Sequence, residues 1–109
     1  MNVTGINNYN TNFGKICFSK EAETILKKRL SPQKYAKLKE RAMNDTTNAT
    51  INIYQYHSWH DRLAAYYEKD GFAEWYGAES RTASMFLSPE RFINKCIKHA
   101  KKLYKNPNN

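Results

Sequence analysis

The segment from Ser88 to Tyr104 constrains the fold more than any other part of the chain, because it has the pattern of one amphipathic helix. Ser88-Pro89 is a typical helix start, with serine at the N-cap and proline in the first turn. At about 100° per residue, its apolar residues share one face: Phe92, Ile93, Cys96, Ile97, Ala100, Leu103 and Tyr104. Such a helix must bury this face against another layer, so the rest of the chain must supply that layer.

The opposite face of this helix carries positive charge only. Its members are Arg91, Lys95, Lys98, Lys102 and Lys105. Like charges three or four residues apart destabilise a helix, and a solvated face usually mixes lysine with glutamate. A stripe of one sign therefore favours contact with a polyanion or an acidic protein surface.

Residues 13–44 predict a strand followed by two helices. Phe13–Phe18 is a short apolar run that suits a strand. Ser19 caps the first helix, and Ala22, Ile25, Leu26 and Leu30 form its apolar stripe. Ser31-Pro32 opens the second helix, which turns Tyr35, Leu38 and Ala42 inward and carries a second basic row of Lys34, Lys37 and Arg41.

Residues 49–87 predict antiparallel strands. Lys69-Asp70-Gly71 is typical of a tight hairpin turn, since glycine adopts positive φ without strain. The strands are predicted at Ala49–His57, Leu63–Glu68 and Phe72–Tyr76, with a short fourth at Thr82–Leu87. The fold class is thus α+β: an antiparallel sheet of three to five strands, with an N-terminal helix pair and a long C-terminal helix packed on one face.

The length of 109 residues fits one domain. We expect that domain at residues 13–105, with an Asn-rich disordered tail at 1–12 and another disordered tail at 106–109. The sequence shows no signal peptide and no apolar run of membrane length. With two cysteines in addition, it favours a cytoplasmic protein that does not contact membranes.

Residues of the predicted sheet are rich in aromatic side chains. One face must pack on the helices, and the other would expose aromatics that include Tyr54, Tyr56, Tyr66, Trp75 and Tyr76. The acids nearby would repel a phosphate backbone; they are Asp61, Glu68, Asp70, Glu74 and Glu79. This face therefore favours protein binding over base stacking.

The sequence contains no pattern that indicates catalysis. It has no nucleophile elbow and no phosphate-binding loop, so we expect neither an enzyme nor a small-molecule substrate. His57, His60 and Asp61 have the spacing of a first metal-ligand pair, but a second pair is missing from the chain. We therefore expect no metal and no cofactor.

The formal charge of +8 is concentrated in the helical parts of the chain. Residues 15–45 and 88–109 each carry +5, whereas residues 46–87 carry −2. The sequence thus favours a small non-catalytic protein that contacts nucleic acid, or a nucleoprotein machine, through a Lys/Arg helical ridge. The alternative is a protein-interaction or inhibitor module, of the kind encoded by phages or used as effectors, that binds through its aromatic sheet face.

Overall fold

The computed structural model describes residues 15–44, 48–57 and 61–105. They form, in chain order, β1 (Ile16–Phe18), α1 (Lys20–Arg29), α2 (Pro32–Asn44), β2 (Thr50–Gln55), β3 (Leu63–Lys69), β4 (Phe72–Ala78), α3 (Arg81–Phe86) and α4 (Pro89–Leu103). The predicted α+β class is confirmed, together with the helix pair and the long C-terminal helix. The predicted tails at 1–12 and 106–109 lie outside the described residues.

The four strands form one mixed sheet in the order β1-β2-β3-β4. β2, β3 and β4 are antiparallel, but β1 pairs with β2 in parallel, with Ile16 opposite Ile51. The prediction of a wholly antiparallel sheet is therefore wrong at β1. The physical reason is that α1 and α2 form a long crossover between β1 and β2, which lets the second strand start in the same direction as the first.

The hairpin between β3 and β4 turns as predicted. Asp70 and Gly71 both have positive φ, 52° and 83°, which is the requirement of a two-residue type I′ turn. Further along the same pair the register shifts by one residue, because Tyr66 lies opposite Trp75 whereas Ala65 lies opposite Gly77. The residue between Trp75 and Gly77 has no partner, so β4 contains a β-bulge.

The predicted fourth strand at Thr82–Leu87 is wrong, because this segment forms α3. Ser80 caps the helix, and its Oγ accepts a hydrogen bond from the Ala83 N–H at 3.0 Å. An apolar pattern over six residues does not distinguish a strand from a helix. The serine cap, which satisfies an otherwise unpaired N–H, favours the helix.

α1 and α4 pack on one face of the sheet, α1 over β2 and α4 over β3 and β2. The predicted apolar stripes of α1 and α2 are confirmed, since all their aliphatic members are buried and Tyr35 packs partly buried against the core. The sheet contributes alternate residues to the same core, and the fully buried ones are Ile51, Ile53, Leu63, Ala65 and Tyr67. α2 packs on α1.

Candidate polyanion interface

α4 begins where the sequence predicts and buries most of the predicted face. Ser88 Oγ accepts a hydrogen bond from the Glu90 N–H at 3.2 Å, and Pro89 lies in the first turn. The buried residues of the helix include Ile93, Cys96, Ile97 and Ala100. Leu103, at the last turn, is 44% exposed, so the apolar contact ends before the helix does.

The cationic face of α4 is turned to solvent. We call it the α4 ridge; it comprises Arg91, Lys95, Lys98 and Lys102 on the helix and Lys105 two residues after the helix end, and all five are exposed. From its first member to Lys102 it extends about 16 Å along the helix axis. Within residues 15–44, 48–57 and 61–105, no carboxylate oxygen lies within 4.0 Å of a charged nitrogen of the ridge. The charge of the ridge is therefore not neutralised by this part of the chain.

A tyrosine below α4 holds the helix in a fixed orientation. The Tyr67 hydroxyl donates to the Cys96 carbonyl at 3.0 Å and also lies 2.9 Å from Nδ1 of His99. Burial raises the pKa of Tyr67, so the hydroxyl remains protonated. Since Tyr67 belongs to β3, this contact joins α4 to the sheet and keeps the ridge on the solvent side.

The second basic row lies on α2. Lys34, Lys37 and Arg41 are exposed, as predicted. Lys39 of the same helix points the other way: its Nζ lies 4.8 Å from the Phe18 ring centroid and 3.2 Å from a carboxylate oxygen of Glu23. α2 packs on α1, whereas α4 packs on the sheet, so the two basic rows lie on helices with different packing partners.

A pocket of about 510 Å³ lies at the N-terminal end of the α4 ridge. It is open to solvent and is bordered by the end of β4, by α3 and by the first half of α4. Arg91 and Lys95 belong both to the ridge and to the lining of this pocket. The rest of its wall includes Tyr76, Phe92, Ala83, Leu87, Ser80 and Ser88. We call it the β4–α4 pocket.

A buried ion pair lies beside this pocket. The Arg29 guanidinium donates to both carboxylate oxygens of Glu79, at 2.6 and 2.9 Å. The same guanidinium donates to the carbonyl oxygens of Asp61, Ala83 and Leu87 at 3.0–3.3 Å. Both terminal nitrogens of the guanidinium are thus hydrogen-bonded, and a bidentate pair with such additional bonds offsets much of the cost of burial.

Sequence reasoning missed this pair. The sequence placed Glu79 among the acids that surround the aromatic face and gave Arg29 no role, whereas Glu79 is 4% exposed. The Glu79 carboxylate also accepts from the Leu63 N–H at 3.0 Å. Fifty residues separate the partners, and no local pattern in the sequence could connect them.

The sheet face opposite α1 and α4, which we call the outer face, carries an aromatic cluster as predicted. Trp75 is 57% exposed, and its Nε1–H donates to the Tyr54 hydroxyl at 3.0 Å. The ring of Tyr66 meets that of Tyr54 edge to face, with centroids 5.7 Å apart. The Tyr56 ring stacks on the Arg62 guanidinium, whose Cζ lies 4.7 Å from the ring centroid.

Tyr76 does not belong to this cluster, and its predicted place on the aromatic face is wrong. Its ring packs on the helix side, 5.8 Å from the ring centroids of both Tyr67 and Phe92. Burial raises its pKa. Trp75 bonds to Tyr54 on the outer face, whereas Tyr76 contacts rings on the helix side, so these neighbours lie on opposite faces.

The described residues hold no group of three or more His, Cys, Asp or Glu side chains that could bind a metal ion. Of the sequence triplet considered above, His57 is exposed, Asp61 pairs with Lys28 at 2.8 Å, and His60 lies outside the described residues. Cys17 and Cys96 are both free thiols. None of the described helices could span a bilayer.

Comparison with protein-family models, with curated proteins and with solved structures finds no match for this chain.

Proposed function

We propose that this protein is a non-catalytic binding protein that contacts nucleic acid through the phosphates, by means of the α4 ridge. One observation carries the proposal: four exposed cations lie along one face of α4 and a fifth, Lys105, follows the helix end, with no carboxylate of the described residues paired to them. Phosphate contacts are the sequence-independent component of nucleic-acid binding, and lysine and arginine supply them.

The side-chain chemistry favours contact without base reading. Four of the five ridge cations are lysines, which act as flexible point charges, whereas base edges are read by the rigid fork of arginine. The single acid on α4, Glu90, precedes the ridge, and its Oε1 accepts a hydrogen bond from the Ser88 hydroxyl at 3.2 Å. Within α4, no acid therefore lies between the first and the last cation of the ridge.

Salt dependence tests the proposal. If four to five phosphates are neutralised, the slope of log K against log[salt] is about −4 for duplex DNA and about −3 for a single strand. We expect this slope in fluorescence anisotropy with labelled generic oligonucleotides. No binding at low salt would refute the proposal.

A charge-matched pair of variants locates the contact. Lys98→Gln with Lys102→Gln removes two ridge charges, and we expect the slope to become shallower by about 1.5 and the affinity to fall at least about tenfold near 0.1 M salt. The control, Lys20→Gln with Lys27→Gln, removes the same charge from α1 without breaking an ion pair between described residues. An equal loss in both variants would mean that net charge, and not the ridge, attracts the nucleic acid.

A second candidate function is protein binding through the outer face. The observation in its favour is the exposed Trp75, held in place by Tyr54 at the centre of a partly buried aromatic cluster, since tryptophan and tyrosine dominate the energy of protein interfaces. Association of this kind would tolerate salt. It would be lost on Trp75→Ala and retained in the Lys98/Lys102 variant, the reverse of the result expected for nucleic acid.

A further inference from the structure

The β4–α4 pocket shares two cations with the α4 ridge. We propose that it takes one unpaired nucleotide of a nucleic-acid strand whose phosphates follow the ridge. This inference rests on the proposed function and adds a substrate class to it: single-stranded segments or ends, rather than duplex alone.

The volume and walls of the pocket suit a nucleobase. About 510 Å³ falls within the range of roughly 300–1,000 Å³ that is usual for small-molecule sites. Phe92 and Tyr76 supply aromatic rings, against which an unstacked base packs favourably. Ala83 and Leu87 complete an apolar wall. Ser80 Oγ accepts from the Ala83 N–H, which leaves its own O–H to donate to a base edge.

The net charge of the pocket suits the phosphates. Glu79 is the one acid in its lining, and both its oxygens are bonded to the Arg29 guanidinium. The net charge of this buried pair is zero, so Arg91 and Lys95 give the pocket a positive net charge. They are four residues apart on α4 and thus about 6 Å apart along its axis, so each can contact a different phosphate.

The location of the pocket implies a preference for unpaired strands. In a duplex the bases are stacked and paired, so only phosphates reach the ridge. In a single strand or at an unpaired end a base can turn out of the stack, and stacking on aromatic side chains then adds to the phosphate contacts. The ridge binds both forms, whereas the pocket distinguishes them.

Two variants that preserve every charge test the pocket. Ala83→Leu fills it, and Phe92→Leu removes a ring while keeping an apolar side chain. Ala36→Leu, at an exposed helical position on α2, is the matched control. The probes are labelled oligothymidylate and a blunt-ended duplex of the same length. Circular dichroism and urea unfolding verify that each variant is folded.

We expect both pocket variants to weaken binding of the single strand by roughly fivefold or more, and to leave duplex binding and the control unchanged. If single-strand binding is unaffected in both, or if duplex binding falls equally, the pocket takes no base and the inference is overturned. In that case the Lys98/Lys102 variant still loses affinity if the proposed function is right. If the wild-type protein binds neither probe, both the pocket inference and the proposed function are refuted.

Discussion

Replacing Glu79 with alanine would leave the Arg29 guanidinium buried without a counter-charge. The Arg29 side chain is 9% exposed and that of Glu79 is 2% exposed. Removing one partner of such a pair costs about 3–5 kcal/mol, a large part of the 5–15 kcal/mol that is typical of a small domain. At a urea m-value of about 1–3 kcal/mol/M, we expect the unfolding midpoint to fall by more than about 1 M.

Two further variants separate this cost from a general loss of packing. Arg29→Met combined with Glu79→Met leaves no buried charge, so it should destabilise less than Glu79→Ala alone. Asp61→Ala breaks the Lys28–Asp61 pair, whose side chains are 67% and 41% exposed, and should cost less than about 1 kcal/mol. Tryptophan fluorescence during urea unfolding measures all three. Equal midpoints for Glu79→Ala and Asp61→Ala would refute the reasoning.

Two further predictions concern titratable groups. Hydrogen bonds from the Tyr35 hydroxyl at 2.6 Å and from the Lys39 ammonium lower the pKa of Glu23 below its ordinary value of 4.5. The stability from this lowering is present above that value and is lost as pH falls through the folded-state pKa. Glu23→Gln should therefore cost more at pH 7 than at pH 3 in urea unfolding, and an equal cost at both would contradict it. Burial raises the pKa of the Cys96 thiol to about 11. In a folded Cys17→Ser variant, we therefore expect a thiol reagent to label Cys96 only at the rate of unfolding. Rapid labelling would contradict this, because it would show that the core opens at Cys96.

Elements that depend on local signals were predictable from the sequence. Ser19 and Ser88 each accept a hydrogen bond from the first turn of the helix that they precede, and these caps mark helix starts in the sequence. The period of α4 likewise predicts which side is buried and which is cationic. The Asp70-Gly71 turn follows from the preference for positive φ at both positions.

Features that depend on distant parts of the chain were not predictable. The parallel pairing of β1 requires knowledge of where the α1–α2 crossover returns, and the period of β1 contains no such information. The pairing of Arg29 with Glu79 joins two residues that are polar and unremarkable in their own segments. The β4–α4 pocket is likewise assembled from three elements, so the sequence identified Arg91 and Lys95 on the ridge without indicating the pocket.

The bulge in β4 determines on which side of the sheet every later residue of that strand falls. Before it, Trp75 pairs with Tyr66 on the outer face; after it, the Glu79 N–H bonds to the Leu63 carbonyl at 2.8 Å, and Leu63 faces the helices. Deleting Tyr76, the unpaired residue, would exchange the two sides of the sheet for every residue that follows it. The Glu79 side chain would then point away from α1, and Arg29 would lose its partner. The extra residue in β4 and the Arg29–Glu79 ion pair therefore depend on each other. We expect related proteins to have either both features or neither.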